Sequence, residues 1–126
     1  MADKKRKRID DLIIIGTDDF DEIIEENAVV IDKTMFIKEW MEKHDKVSVI
    51  LRPRRFGKST NLSMLKSFFS LNAQSKDFSR FLIGKETEFI KKHCGKYPVV
   101  FLNMKAIGGD NWEEMLKDIW KNLRRI

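Results

Sequence analysis

The residues best suited to chemistry lie in the basic turn at residues 52–60, which reads Arg52-Pro53-Arg54-Arg55-Phe56-Gly57-Lys58-Ser59-Thr60. The turn follows an apolar, β-branched run at residues 47–51 and precedes a segment with helical periodicity. A helix that begins here offers unpaired backbone N–H groups and the positive end of its dipole to an anion. The pattern predicts a phosphate-binding loop between a strand and a helix.

Four residues of the basic turn have roles that suit a nucleoside triphosphate. Gly57 lets the backbone approach a phosphate closely, Lys58 reaches the terminal phosphates, and the Ser59 hydroxyl is a candidate Mg²⁺ ligand. The backbone amides of Ser59 and Thr60 extend the cradle for phosphate oxygens. These residues are the predicted nucleotide site, with Ser59 as the predicted metal ligand.

The basic turn departs from the general pattern G-x-x-x-x-G-K-[ST] at its first position. Arg52 stands where that pattern has glycine, and Pro53 has no backbone N–H to donate to a phosphate. The remaining Gly-Lys-Ser tripeptide also fits a basic turn ahead of an ordinary helix. The tripeptide alone leaves both interpretations open.

Four ordered segments carry a wider resemblance. They resemble the AAA-ATPase-like domain family, whose members have a V-D-K-T-x-F-I segment, an R-P-R-R-F-G-K-[ST] loop and a K-Y-P-V-I-F-L strand. The matching segments here are Ile31-Asp32-Lys33-Thr34-Met35-Phe36-Ile37, the basic turn, Leu62-Ser63-Met64-Leu65-Lys66 with Phe68-Phe69, and Lys96-Tyr97-Pro98-Val99-Val100-Phe101-Leu102. The resemblance extends from about Ile15 to the C-terminal end.

The resemblance implies a fold, a ligand and a role for two arginines. The fold is α/β, a partial P-loop NTPase-like three-layer sandwich with a parallel sheet. In similar proteins arginine and proline are the normal form of the loop, so Arg52 and Pro53 no longer count against a phosphate site. The implied cofactors are ATP, favoured over GTP, and Mg²⁺. Arg54 and Arg55 are expected to neutralise phosphate charge.

A metal-binding acid after a later strand is the part of the family pattern that we do not find. P-loop ATPases use such an acid to hold Mg²⁺ and to help position the attacking water. The apolar run at residues 12–15 ends in Gly16-Thr17, and the run at residues 99–102 ends in Asn103. We therefore expect the chain to stop before the Walker B strand, to have no catalytic residue and not to hydrolyse ATP alone.

Composition favours one folded domain with a basic tail. The 126 residues are 42% apolar and carry a net charge of +5, a balance that can favour polyanions. Lys4-Lys5-Arg6-Lys7-Arg8 has the composition of a nuclear localisation signal or a nucleic-acid patch, and also of a solvated tail. We expect a disordered tail at residues 1–14 and the N-terminal part of an ATPase-like domain at residues 15–126.

Several classes of protein are excluded at this level. Cys94 is the single cysteine, so an internal disulfide framework is excluded, and a structural thiol is favoured over a metal ligand or nucleophile. We expect no signal peptide, because the basic start runs into Asp10-Asp11 before a four-residue apolar run, and no window of this sequence is long enough to span a bilayer. We expect an intracellular protein, nuclear if the basic run acts as a localisation signal.

Apolar spacing predicts an alternation of helices and strands. Strands are expected at residues 29–31, 47–51 and 99–102, the last buried on both faces. Asp32-Lys33-Thr34 fits either helix capping or a contact near a nucleotide base. Helices are expected at residues 18–27, 35–43 and 59–71, as two short pieces within residues 72–96, and after Asp110, which has capping-box spacing to Glu113.

The last predicted helix carries a wide apolar stripe that includes Trp112 and Trp120. In a partial domain this stripe lacks a covering surface, which favours self-association or a protein partner. Three interpretations therefore remain at this stage: nucleotide binding, a non-catalytic interaction or remnant chain, and a basic nucleic-acid-binding fragment. The third is weakened because Phe56 is the one aromatic residue within the basic turn.

Overall fold

The computed structural model describes residues 17–123, so the basic run at residues 4–8 and the apolar run at residues 12–15 lie outside this part of the chain. The described residues form α-helices joined by irregular segments and short 3₁₀ turns. The α-helices are α1 (Phe20–Glu25), α2 (Met35–Lys43), α3 (Lys58–Phe69), α4 (Thr87–His93) and α5 (Trp112–Leu123), and the 3₁₀ turns are Leu71–Ser75, Leu82–Lys85 and Met104–Ala106.

The predicted parallel sheet, and with it the α/β three-layer sandwich, is wrong for this part of the chain. Between residues 17 and 123 no strand forms, and β pairing is limited to one parallel bridge between Ser70 and Tyr97. The apolar runs at residues 47–51 and 99–102 expose much of their surface, with Leu51 82% exposed. β-branched residues favour a strand where a neighbouring strand and a packed face exist, and the described chain supplies no neighbouring strand to these runs.

The predicted helices are confirmed, with some ends shifted. α2 has the predicted bounds, whereas α3 begins one residue early and ends two residues early. The exception is within residues 72–96, where two short helices were expected: α4 forms, but residues 76–81 are irregular and lead into the 3₁₀ turn Leu82–Lys85. In residues 17–123 no helix combines the length and the apolarity that crossing a bilayer requires.

The hydrophobic core forms around α3. Phe68 is fully buried, and its ring centroid lies 5.2 Å from that of Phe69, 5.3 Å from that of Phe78 and 5.9 Å from that of Phe89. Leu62, on the same helix, is 47% exposed. The buried apolar side chains are Phe20, Ile23, Ala28, Ile37, Met64, Phe68, Phe69, Ala73, Phe78, Phe81, Ile83 and Cys94.

Two serines on the buried face of α3 bind the first turn of α1. Ser63 Oγ accepts a hydrogen bond from Phe20 N at 2.9 Å and donates one to Asp19 Oδ1 at 3.1 Å. Asp19 also caps α1, since its Oδ1 accepts from Asp21 N at 3.0 Å. These bonds satisfy polar groups that would be costly to bury unpaired, and they fix the start of α1 against the middle of α3.

Asp21 forms the second polar link between α1 and the rest of the fold. Its Oδ1 accepts from Ser67 Oγ at 2.5 Å and from Lys76 Nζ at 2.6 Å. Partial burial raises the pKa of the Asp21 carboxyl, but the hydrogen bonds from Lys76 and Ser67 outweigh it and hold that pKa below its ordinary value.

The last helix lies outside this core. None of the α5 residues is buried, and Trp112 and Trp120 are 65% and 61% exposed. A capping box at the start of α5 was predicted between Asp110 and Glu113, and the side-chain cap lies one residue later, at Asn111 and Glu114. Asn111 Oδ1 accepts from Glu114 N at 3.0 Å, and Glu114 Oε2 accepts from Asp110 N at 3.1 Å.

Gly84→Ala is expected to destabilise the fold, because a Cβ at this position would lie 2.4 Å from Phe78 O and 2.9 Å from Ser79 Cα. The expected loss in the free energy of unfolding is about 2 kcal/mol, typical of overpacking, measured by chemical denaturation. Gly108→Ala is the matched control, since a Cβ there meets nothing within 4 Å. Equal losses in the two variants would contradict the close approach at Gly84.

Asp21→Asn is expected to lower the free energy of unfolding at pH 7 by about 2 kcal/mol, because hydrogen bonds to a charged partner are lost. The folded-state pKa of Asp21 is depressed, so its contribution is fully present above the unfolded pKa of about 3.9 and is lost as pH falls through the folded pKa. Denaturation curves of wild type and variant should therefore converge below about pH 4.

Asp45→Asn, at an exposed carboxylate, is the control for the loss of a negative charge. It should change stability by less than about 0.5 kcal/mol at pH 7. A wild-type advantage over Asp21→Asn that stays constant from neutral to acidic pH would contradict the role assigned to the ionised carboxylate.

Candidate functional site

The backbone of the basic turn reverses direction through two left-handed residues. Arg55 has a φ of 66°, and Gly57, the N-cap of α3, has a φ of 73° and a ψ of 26°. Glycine adopts this conformation without a steric penalty, whereas arginine adopts it at a cost of about 1 kcal/mol or more. The left-handed conformation at the entry to α3 therefore falls on Gly57, the residue that adopts it most easily.

The first turn of α3 presents backbone amides without a side-chain cap. Asn61 N donates to Gly57 O at 2.9 Å, which is the first helical hydrogen bond. The amides of Lys58, Ser59 and Thr60 precede that bond and have no acceptor within the helix. Because Gly57 contributes no capping side chain, these donors suit an anion from outside the helix.

Lys58 lies across the mouth of the basic turn. Its Nζ donates to Arg52 O at 2.5 Å and to Pro53 O at 3.0 Å, so the side chain folds back over the turn that precedes it. Lys58 is half-buried, and in residues 17–123 no carboxylate oxygen lies within 4 Å of its Nζ. A positive charge is therefore held over the turn that leads into α3.

All of the predicted site residues are neighbours in this one turn. Arg54, Arg55 and Ser59 are exposed, whereas Gly57, Lys58 and Thr60 are half-buried. Arg54 and Arg55 can add positive charge to the turn, and none of the salt bridges found in residues 17–123 holds either guanidinium group in one orientation.

An open cleft of about 310 Å³ lies on one side of the basic turn. We call it the Ser59 cleft; its lining residues are Asp18, Asp19, Ser59, Leu62, Ser63, Lys66, Phe101, Leu102, Asn103, Met104 and Lys105. Asp18 and Asp19, which sequence reasoning did not connect with the site, bring carboxylates to the same cleft as the Ser59 hydroxyl. Asp19 is engaged as the cap of α1, and Asp18 Oδ2 lies 3.9 Å from Lys105 Nζ.

A second open cleft, of about 690 Å³, is lined in part by Arg52 and Phe56 of the basic turn. We call it the Lys33 cleft; its lining residues are Lys33, Met35, Phe36, Glu39, Val49, Ile50, Leu51, Arg52, Phe56 and Asn61. Lys33 Nζ lies 3.8 Å from the position that a Cβ at Gly57 would occupy. The sequence pattern did not predict this approach, because the two residues are separated by the whole of α2.

Asp32 and Thr34 link the start of α2 to the turn Leu82–Lys85. Asp32 Oδ1 accepts from Thr34 N at 2.8 Å and from Thr34 Oγ1 at 2.7 Å, and Asp32 Oδ2 accepts from Leu82 N at 2.7 Å. Thr34 Oγ1 in turn accepts from Ile83 N at 3.1 Å. Partial burial raises the pKa of Asp32, but these hydrogen bonds outweigh it and lower that pKa below its ordinary value.

The capping interpretation of this segment is therefore only partly right. Thr34 is the N-cap of α2, but its side chain makes no capping hydrogen bond within the helix. Asp32 and Thr34 instead bind a distant segment of the chain. Between them, Lys33 is left with its side chain exposed.

Cys94 is buried in the core, with its Sγ 3.8 Å from Ala73 O. Burial raises the pKa of its thiol, which disfavours the reactive thiolate. In residues 17–123 no group of three or more His, Cys, Asp or Glu side chains is placed to hold a metal ion. A metal at the Ser59 cleft would accordingly need ligands that come with the bound molecule.

Comparison with known proteins agrees with the resemblance drawn from the sequence. The model of the AAA-ATPase-like family, described as predicted AAA-ATPase, matches residues 14–126. No curated protein and no solved structure matches the chain. The family match includes the basic turn and both clefts beside it, and the chain belongs to the AAA-ATPase-like family.

Proposed function

We propose that this chain binds ATP together with Mg²⁺ at the basic turn. The observation that carries the proposal is the geometry at the start of α3. A left-handed glycine leads into helix amides that have no side-chain cap, and the Lys58 side chain folds back over the turn that precedes them. Membership of the AAA-ATPase-like family supports a nucleotide as the anion and ATP as the nucleotide.

The Lys58 ammonium group is expected to form stronger hydrogen bonds when a phosphate is bound. Its Nζ now donates to two neutral carbonyl oxygens, Arg52 O and Pro53 O. A phosphate oxygen carries negative charge, so a hydrogen bond to it from the Lys58 ammonium group adds an attraction between opposite charges that carbonyl oxygens do not provide. Transfer of the Lys58 donors from carbonyl oxygens to phosphate oxygens would thus favour the bound state.

The Ser59 cleft offers oxygen ligands to a Mg²⁺ ion that accompanies the phosphates, although Lys66, Lys105 and apolar side chains also line it. Mg²⁺ prefers hard oxygen ligands and usually keeps several waters while binding substrate phosphates. The Ser59 hydroxyl would supply a protein ligand, and the carboxylate of Asp18 lines the same cleft. When bound, the ion would neutralise phosphate charge. The carboxylate of Asp19 already accepts the capping hydrogen bond of α1, so we assign it no role in hydrolysis. We propose binding alone and name no catalytic residue.

Lys58→Ala is expected to weaken binding of Mg-ATP by tenfold or more, which corresponds to about 1.4 kcal/mol or more. Titration of a fluorescent ATP analogue, with and without Mg²⁺, measures this change. Lys92→Ala is the matched control, because Lys92 is exposed on α4 and lines neither cleft. Equal affinity of wild type and Lys58→Ala for Mg-ATP would refute the proposal.

Ser59→Ala separates the metal from the nucleotide within the same titration. If Ser59 holds Mg²⁺, this variant should lose most of the gain in affinity that Mg²⁺ gives the wild type, while its affinity without Mg²⁺ stays the same. If Mg²⁺ raises the ATP affinity of Ser59→Ala as much as it raises that of wild type, Ser59 is not a metal ligand. The role assigned to Lys58 would be unaffected by this result.

The exposed stripe of α5 supports a second proposal, self-association. The helix buries no residue, and two tryptophans on it are more than half exposed. Contiguous apolar surface of this kind usually marks an interaction site. Two copies can cover each other by pairing the same helix face around a two-fold axis.

The combined variant Trp112→Gln/Trp120→Gln is expected to shift the chain toward monomer in sedimentation velocity at increasing concentration. Lys117→Gln, an exposed substitution on the same helix, should leave the sedimentation profile unchanged. A wild type that sediments as a monomer throughout the micromolar range would contradict self-association.

A further inference from the structure

We propose that Lys33 is a second phosphate-binding lysine of this site, contributed from outside the basic turn. The inference rests on the proposed function and extends it, because it adds a binding residue that the loop pattern does not contain. The ligand class is a di- or triphosphate group, whose several anionic oxygens can meet two ammonium groups at once.

The first support is position. Lys33 Nζ lies 3.8 Å from where a Cβ at Gly57 would be. Gly57 is the point at which a phosphate can approach the backbone most closely, since it has no side chain and it begins α3. A group bound to the amides after Gly57 would therefore lie within reach of Lys33 as well as Lys58.

The second support is the rigidity of the backbone that carries Lys33. The residues on either side of it, Asp32 and Thr34, hydrogen-bond the backbone amides of Leu82 and Ile83, and Thr34 is 1% exposed. Lys33 O also accepts the first hydrogen bond of α2, from Phe36 N at 3.0 Å. A side chain on a fixed backbone loses less conformational entropy when it binds a ligand.

The third support is charge. Within residues 17–123 no carboxylate oxygen lies within 4 Å of Lys33 Nζ, whereas Lys38 and Lys76 each have one at 2.7 Å and 2.6 Å. An ammonium group has three donors and no acceptor, so its natural ligand is an anion. The other charged residues that line the Lys33 cleft are Arg52 and Glu39, and neither Glu39 nor any other described carboxylate is paired with Lys33.

The test uses the whole chain and inorganic tripolyphosphate, followed by isothermal titration calorimetry, so that no base contact contributes. Lys33→Ala should bind tripolyphosphate about tenfold more weakly than wild type, the loss expected for one charge-assisted hydrogen bond. Lys33→Arg keeps the charge and should recover most of the affinity. Because the Lys33 side chain is exposed, thermal unfolding of the two variants should match wild type.

Two further variants, Lys92→Ala and Lys58→Ala, separate the role of Lys33 from the proposed nucleotide binding at the basic turn. Lys92→Ala removes the same charge at a remote exposed site and should bind tripolyphosphate like wild type. If Lys58→Ala weakens binding while Lys33→Ala does not, the role of Lys33 is overturned and the nucleotide site stands. If Lys92→Ala loses as much as Lys33→Ala, general attraction explains the effect and Lys33 is not a ligand. If wild type does not bind tripolyphosphate, the role of Lys33 as a polyphosphate ligand is overturned, and the Mg-ATP titration of Lys58→Ala decides the nucleotide site by itself.

Discussion

The burial of Phe68 is the interaction on which the rest of the structure depends. This side chain is fully buried among other aromatic rings, and it lies near the C-terminal end of α3. A helix is stiff over such a length, so fixing its last turns also fixes the direction in which its first turn points. Core packing at the C-terminal end of α3 therefore also fixes the position of its N-terminal end. There the basic turn enters the helix at Gly57, and the first amides of the helix have no side-chain cap.

A second set of contacts brings α2 to the same place. Asp32 and Thr34 bind the amides of Leu82 and Ile83, and that segment is held close to residues 78 and 79 because Gly84 has no side chain. The start of α2 is thus positioned by hydrogen bonds from a region far along the chain. Lys33 reaches the basic turn as a consequence, although it belongs to neither the turn nor α3.

The sequence was informative where structure depends on near neighbours and uninformative where it depends on distant ones. The helical period and the glycine before Lys58 are local signals, and they correctly placed the helices and the entry into α3. A strand requires a partner elsewhere in the chain, so the apolar run at residues 47–51 predicted a sheet that residues 17–123 do not form. The approach of Lys33 to Gly57 was missed for the same reason, since no spacing rule connects the two residues.

The concentration of positive charge in the basic turn would make its conformation depend on a bound anion. Arg52, Arg54, Arg55 and Lys58 lie within seven consecutive positions, and Lys33 adds a further positive charge beside Gly57. Like charges at this density repel one another and destabilise the conformation that gathers them. A bound polyphosphate would offset that repulsion, and a ligand that binds only the folded chain adds to its stability as ligand concentration rises above Kd. The same cations that define the site would therefore make the conformation of the turn depend on the anion it binds, whereas the aromatic core around Phe68 holds α3 independently of it.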